Sequence, residues 1–329
     1  MLFVKKGFIH ILLLIVSLPP ALAQEHGFYL GFDQILDNRE YNNTAFGYPQ
    51  TIFGARINPG AFVTFNKIHQ IHAGINYMYE FGGKLLGVTP QIDLYYSYQS
   101  AGTELYMGSF PRNHLVDYPL IMISDSLGYY RPNIEGAYFR FHNDWASIHG
   151  WVDWMGRVSE EVRESIQSGV DVTLRAGAFY LRGISTRGHL ARTIAVDDMN
   201  HVRNEGSVIV FVGLDLSKIY NFKHLDISSG WFTNFQHEHP IGYEWNQGWL
   251  SQVDIQKGMF GVKGSWYMGE PTYLQYGDRL YSHGDYGRID FYIDPFRNPH
   301  ITSKIGWNLH WLPGDGLYNS QQLLIQIRL

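Results

Sequence analysis

The sequence predicts an all-β protein, a transmembrane up-and-down antiparallel β-barrel of about sixteen strands with both termini on the periplasmic side. Three observations carry this reading. Apolar and polar side chains alternate with period two through most of the chain, the periodicity of a strand with one apolar face. Long and short connections alternate along the whole length, which places every long loop at one end of the fold. Aromatic residues make up 16% of the chain, with 23 Tyr and 9 Trp, many of them near segment ends, where interfacial girdles belong.

The N-terminus comes first. Lys5 and Lys6 precede an apolar run from Phe8 to Leu18, and Ala21-Leu22-Ala23 forms a small-x-small cleavage site before Gln24. Residues 1–23 therefore read as a signal peptide and 24–329 as a single barrel domain. The run is short for a membrane-spanning helix, and nothing after Ala23 reaches 18 consecutive apolar residues. The chain has no cysteine, which excludes disulfides, lipid attachment through a thiol and thiol chemistry. Of 25 Lys and Arg, two leave with the signal; the remaining 23 face 30 Asp and Glu, a net charge of −7. No basic block stands out, so nucleic acid is not an expected partner.

The stripes fall in sixteen segments: 27–35, 51–65, 68–81, 88–99, 102–110, 133–142, 145–156, 165–175, 177–189, 207–217, 223–235, 249–256, 259–268, 287–294, 300–311 and 318–329. In the third, Ile71, Ala73, Ile75, Tyr77, Tyr79 and Phe81 share one face against His72, Asn76 and Glu80. The tenth gives Val208, Val210, Val212, Leu214 and Leu216, and the last Leu323, Ile325, Ile327 and Leu329. After odd-numbered segments come 36–50, 82–87, 111–132, 157–164, 190–206, 236–248, 269–286 and 312–317; most connections after even ones are tight turns such as Asn66-Lys67. Sixteen strands enclose a lumen too wide for wall side chains to fill, so the polar face is expected inside and the apolar face against lipid. Closure follows from the same solvent argument, because hydrocarbon leaves no partner for an open strand edge.

This pattern resembles the outer-membrane porins of Gram-negative bacteria, over nearly all of residues 24–329. The resemblance implies a water-filled channel for small hydrophilic solutes, no enzymatic activity, export to the outer membrane by its assembly machinery, contact with outer-membrane lipid and a homo-oligomer. It also implies that the third long loop, 111–132, folds inward and narrows the pore. The chain departs from that family at Leu329, where porins of the best-known type end in an aromatic residue.

Candidate site residues follow. Arg56, Arg140, Arg182 and Asp93 project from the wall toward the lumen, and Asp117 and Asp125 lie on the loop, so a charged constriction is expected between them. Tyr129, Tyr130 and Arg131, with Tyr243 and Trp245, place aromatic rings beside hydrogen-bonding groups in the long loops. That is the chemistry of saccharide contact and suits a non-conducting barrel that binds surface polysaccharide. A third alternative is a lipid-modifying enzyme. Outer-membrane phospholipases and lipid A deacylases carry a lipid-facing His-x-Ser pair; this chain has none, and Ser147-Ile148-His149, with Asp153, is reversed and points inward. His237-Glu238-His239 lacks a third fixed ligand, so no metal or other cofactor is expected.

Overall fold

The computed structural model describes residues 25–113, 115–194 and 201–329; the expected signal peptide, residues 1–23, lies outside them. Sixteen antiparallel strands follow in order: β1 (Glu25–Glu40), β2 (Gln50–Phe65), β3 (His69–Glu80), β4 (Gln91–Ser100), β5 (Thr103–Pro111), β6 (Asn133–His142), β7 (Ala146–Gly156) and β8 (Ser165–Ala176). The second half is β9 (Phe179–Leu190), β10 (Arg203–Asp215), β11 (His224–Glu238), β12 (Gly242–Lys257), β13 (Phe260–Gly269), β14 (Tyr286–Ile293), β15 (Ile301–Leu312) and β16 (Gly316–Arg328). Each pairs with its neighbours in sequence, and β1 pairs with β16 from Gly31↔Arg328 to Glu40↔Asn319, which closes the barrel.

Alternation has the sense that a lipid solvent demands. Val208, Val210 and Val212 face outward, as do Ile305, Trp307 and Trp311, while Asp93, Asp153 and Asp171 are buried inside. Every strand has two partners, so the backbone leaves no open edge in the apolar band. Tyr79, Trp154, Trp231, Trp249, Trp307 and Trp311 stand exposed on the outer face.

Two regions differ from expectation. Residues 236–248, expected as a loop, are mostly strand: β11 and β12 continue to Glu238 and Gly242. Cross-strand rings hold this extension together. Phe235 pairs with Trp245 and His237 with Tyr243, the latter stacked at 4.1 Å and 19°. The inner face is also not uniformly polar. Tyr138, Trp151, Phe211, Phe232, Leu250, Tyr267, Tyr286 and Leu312 point inward and are almost completely buried. Wall side chains alone cannot bury one another across so wide a lumen; folded loops do it.

Candidate functional site

The loop 112–132 enters the lumen and is pinned at its neck. Arg112 N donates to Pro132 O at 2.7 Å, and the Arg112 guanidinium pairs with the fully buried Asp153 carboxylate. Asn133, where β6 begins, donates to Asp93 at 2.6 Å. Pro119 turns the chain, its carbonyl accepting from Met122 N and Ile123 N. A short helix, α1 (Asp125–Tyr130), then leads back to the wall. Ile121 and Met122 are each 1% exposed and pack with Leu274, Leu280 and Tyr281 from the loop between β13 and β14. The two loops also exchange backbone hydrogen bonds, Asp278 N to Leu120 O and Ser124 N to Tyr276 O. Together they form an apolar core inside the barrel, reaching wall residues from Phe110 on β5 to Leu312 on β15. Tyr129 and Tyr130 complete the contact against Ile35, Ile52 and Met78 on β1 to β3. Below this plug a polar cavity of about 1120 Å³ extends toward the short turns.

The expected constriction residues lie in the lumen but pair differently from the expectation. Arg56 forms an ion pair with Asp33 at 3.5 Å and donates to the carbonyls of Gly128 and Tyr129. Arg182 is held by Asp171 at 2.7 Å and donates to the Asp117 carbonyl at 2.6 Å. Arg140 meets Glu104 at 3.3 Å, and Asp93 is taken by Asn58 and Asn133. Among the described residues the Asp117 carboxylate has no ion pair. Asp125 meets Gln322 at 3.2 Å and Arg288 at 3.9 Å, so the wall cation opposite the loop acid is one the sequence reading did not select.

The expected saccharide set is split by the wall. Tyr129, Tyr130 and Arg131 belong to the plug, with Arg131 donating to Met155 O, whereas Tyr243 and Trp245 are 66% and 63% exposed on the outside. Ser147, His149 and Asp153 stay on the lumen side, and Asp153 is committed to Arg112.

The outer wall carries an arrangement that the sequence reading missed. Register aligns two rows of outward side chains at the long-loop end of β8 to β12. One runs Ile166, His189, Asn204, His237, Tyr243; the next runs Ser168, Arg187, Gly206, Phe235, Trp245. Beneath them the wall turns apolar, with Val170, Val208, Val210 and Trp231. His189 Nδ1 lies 2.8 Å from Asn204 Oδ1. An amide oxygen can only accept, so Nδ1 carries the proton and Nε2 presents its lone pair as a base. Beside this pair, Arg187, Asn204, Phe235, His237, Tyr243 and Trp245 line a shallow pocket of about 240 Å³.

A second histidine cluster is inside. His310 contacts Ser320 at 3.0 Å, Tyr41 at 3.2 Å and Tyr286 at 2.7 Å, and is fully buried. Its nitrogens are satisfied within the wall and the first loop, so it serves as a clamp with no route for lipid.

A search of curated proteins finds no match. Among solved structures, a loop L8 deletion mutant of OmpT, an outer-membrane protein of Vibrio cholerae, aligns with TM-score 0.57 at 8% identity, over 93% of this chain and 99% of that one. The trimer form of in-vitro folded OmpT gives the same TM-score, identity and coverage. OpdK of Pseudomonas aeruginosa aligns with TM-score 0.48 at 9% identity over 94% of this chain and 99% of that one. At such identities the OmpT likeness speaks for the fold, that of an outer-membrane barrel. The family model described as lipid A 3'-O-deacylase-type matches residues 22–303. That match overturns the expected passive channel and the expected absence of enzymatic activity, and it favours the lipid-modifying alternative. On that span the chain belongs to the lipid A 3'-O-deacylase-type family and is an outer-membrane protein.

Proposed function

We propose that the protein hydrolyses an acyl ester of an outer-leaflet lipid, with lipid A as the substrate class suggested by its family. The observation that carries this reading is the His189–Asn204 hydrogen bond on the lipid-facing wall. The long-loop end then faces the cell exterior, and the pair lies at the upper edge of the apolar band, the depth of ester linkages between acyl chains and headgroup.

Residue 191, two positions beyond His189, is alanine, and residue 187, two positions before it, is arginine, so the lipid-facing histidine has no serine partner at that spacing. No seryl hydroxyl bonds to His189 among the described residues. Water is therefore the nucleophile. His189 Nε2 takes a proton from water as its oxygen attacks the ester carbonyl, and Asn204 holds the imidazole orientation and stabilises the imidazolium. The tetrahedral intermediate collapses by breaking the bond to the alcohol oxygen, which recovers the proton from Nε2. A fatty acid and a free hydroxyl result.

The test is release of fatty acid from lipid A in vesicles by the purified barrel, followed by mass spectrometry, with His189→Gln as control. Release by the wild type and none by the variant is expected; equal release from both, or none from either, would sink the assignment.

A further inference from the structure

We infer that the polar cavity beneath the plug is a binding site for a short zwitterionic peptide that enters from the periplasm. The inference stands apart from ester hydrolysis, because His189 lies on the other side of the wall. The plug shuts the cavity off from the long-loop end, while its lining reaches His142, Arg175 and Asp215 at the short-turn end. Its guests therefore arrive from the periplasmic side.

Most charges around this cavity cancel in pairs. Arg182 holds Asp171 at 2.7 Å and Lys263 holds Asp254 at 3.1 Å. Arg288 holds Asp290 at 2.6 Å and stands 3.9 Å from Asp125. Three lining groups have no ion pair among the described residues: the carboxylates of Asp117 and Asp226, and the ammonium of Lys304.

The two acids share a corner. Arg182 donates to the Asp117 carbonyl at 2.6 Å, and Tyr180, two residues earlier on β9, donates to Asp226 at 2.7 Å. Asp226 also lies in register between Asp215 and Asp254 on the neighbouring strands, and like charges so placed repel. A guest ammonium in this corner relieves that repulsion.

Lys304 supplies the opposite pole from β15. Its ammonium sits over the Tyr292 ring at 4.9 Å, and the acids on its side, Asp125 and Asp290, are both engaged by Arg288. A half-buried cation so placed is matched by a guest carboxylate. Between the poles Gln252 lines the cavity from β12 with no hydrogen bond among the described residues. Its amide donates and accepts at once, as a peptide bond requires.

The spacing sets the length of the guest. Strands β11 and β15 are four apart around the barrel, about 22 Å across the bore at the usual strand spacing and tilt. The Asp and Lys side chains reach inward by about 4 and about 6 Å, and a hydrogen bond at each end takes about 3 Å. What remains fits two or three residues at about 3.4 Å each. A demand for both charged termini at that spacing selects a free peptide over the tail of a protein.

The experiment titrates the full-length barrel in detergent with tri-alanine, N-acetyl-tri-alanine and tri-alanine amide by calorimetry. The free peptide should bind, and blocking either end should weaken it about tenfold. Lys304→Met should weaken the free peptide about tenfold and leave the amide, which has no carboxylate to lose, unchanged. Asp226→Asn should weaken the free peptide and leave the acetylated one unchanged. Heat-modifiable migration on gels checks that both variants fold. No binding of the free peptide, equal binding of all three, or losses that ignore which end is blocked would overturn the site. The single amino acid alanine should bind at least about tenfold more weakly than tri-alanine; equal binding overturns the assignment to a peptide.

Discussion

His189 on β9 and Asn204 on β10 are direct cross-strand partners, and the 2.8 Å contact between Nδ1 and Oδ1 fixes the tautomer of a histidine that faces lipid. Removing the acceptor frees the ring to rotate and to shift its proton. Asn204→Leu should therefore lower kcat by about tenfold, the worth of one hydrogen bond of ~1.4 kcal/mol. Asn204→Asp keeps an acceptor at the same place and should recover most of the rate. His189→Gln should cost about 10²–10⁴-fold. Steady-state fatty-acid release from the three variants checks all of this, and an unchanged kcat in Asn204→Leu would remove asparagine from the mechanism.

Ser168 is the hydroxyl that competes with water for the role of nucleophile. It pairs with Arg187 and so sits diagonally to His189, whose direct partner on β8 is Ile166. Diagonal neighbours are about 7–8 Å apart, beyond direct proton transfer without rearrangement. Ser168→Ala is expected to retain activity within about twofold of wild type. Complete loss, with the barrel still folded, would make Ser168 the nucleophile.

The strand count was legible because lipid and closure impose one rule on every segment, and alternation from Ile71 to Phe81 or Leu323 to Leu329 states it directly. The plug was less legible. Leu120-Ile121-Met122-Ile123 announces burial, but its partners on the other loop, Leu274 and Tyr281, are about 150 residues away and share no periodicity with it. Tyr243 and Trp245 read as a loop because extension of β11 and β12 depends on ring pairs across the hairpin, which no single segment displays. The histidine pair had a readable trace. Arg187 and His189 share the parity of exposed Leu181, and Asn204 that of exposed Val208, so three polar residues interrupt the outward stripes of β9 and β10 at two adjacent levels. Asn204 lies in the stretch 190–206, which reads as a loop because its residues show no sustained period-two stripe.

The Arg112–Asp153 pair holds the loop 112–132 at its neck, with both side chains at most 5% exposed. Breaking one partner strands the other charge in the lumen wall. Asp153→Leu alone should cost about 3–5 kcal/mol, whereas Arg112→Met with Asp153→Leu should restore much of it. Heat-modifiable migration gives the midpoint of barrel unfolding for each. Additive losses in the double variant would show that the pair is not coupled.

Asp278 opens the 3₁₀ turn Arg279–His283 and accepts from Leu280 N at 3.0 Å, inside the plug. Burial raises its carboxyl above the usual aspartate range. An acid raised on folding contributes stability that is fully present below its unfolded value and is lost as pH rises through the folded one. The loop between β13 and β14 should thus resist added protease better at acidic than at alkaline pH. Asp278→Asn keeps the capping oxygen and should flatten that dependence; a slope that survives the substitution would place its origin elsewhere.

The plug makes the most direct prediction about transport. Ile121 and Met122 are sealed between Leu274, Tyr281 and the wall, and Asp278 N and Ser124 N tie the two loops together. A lumen so filled should pass no steady ionic current, and the intact protein in a planar bilayer should sit at background conductance. Deleting 114–128 alone removes Ile121 and Met122 from this core and exposes Leu274 and Tyr281 to water, so the remaining loop should loosen and the barrel should conduct in noisy, variable steps. If lipid enters and leaves from the outer wall, this deletion should leave fatty-acid release largely intact, because His189 and Asn204 project away from the lumen. Abolished release together with an open pore would instead place the chemistry inside, next to the loop.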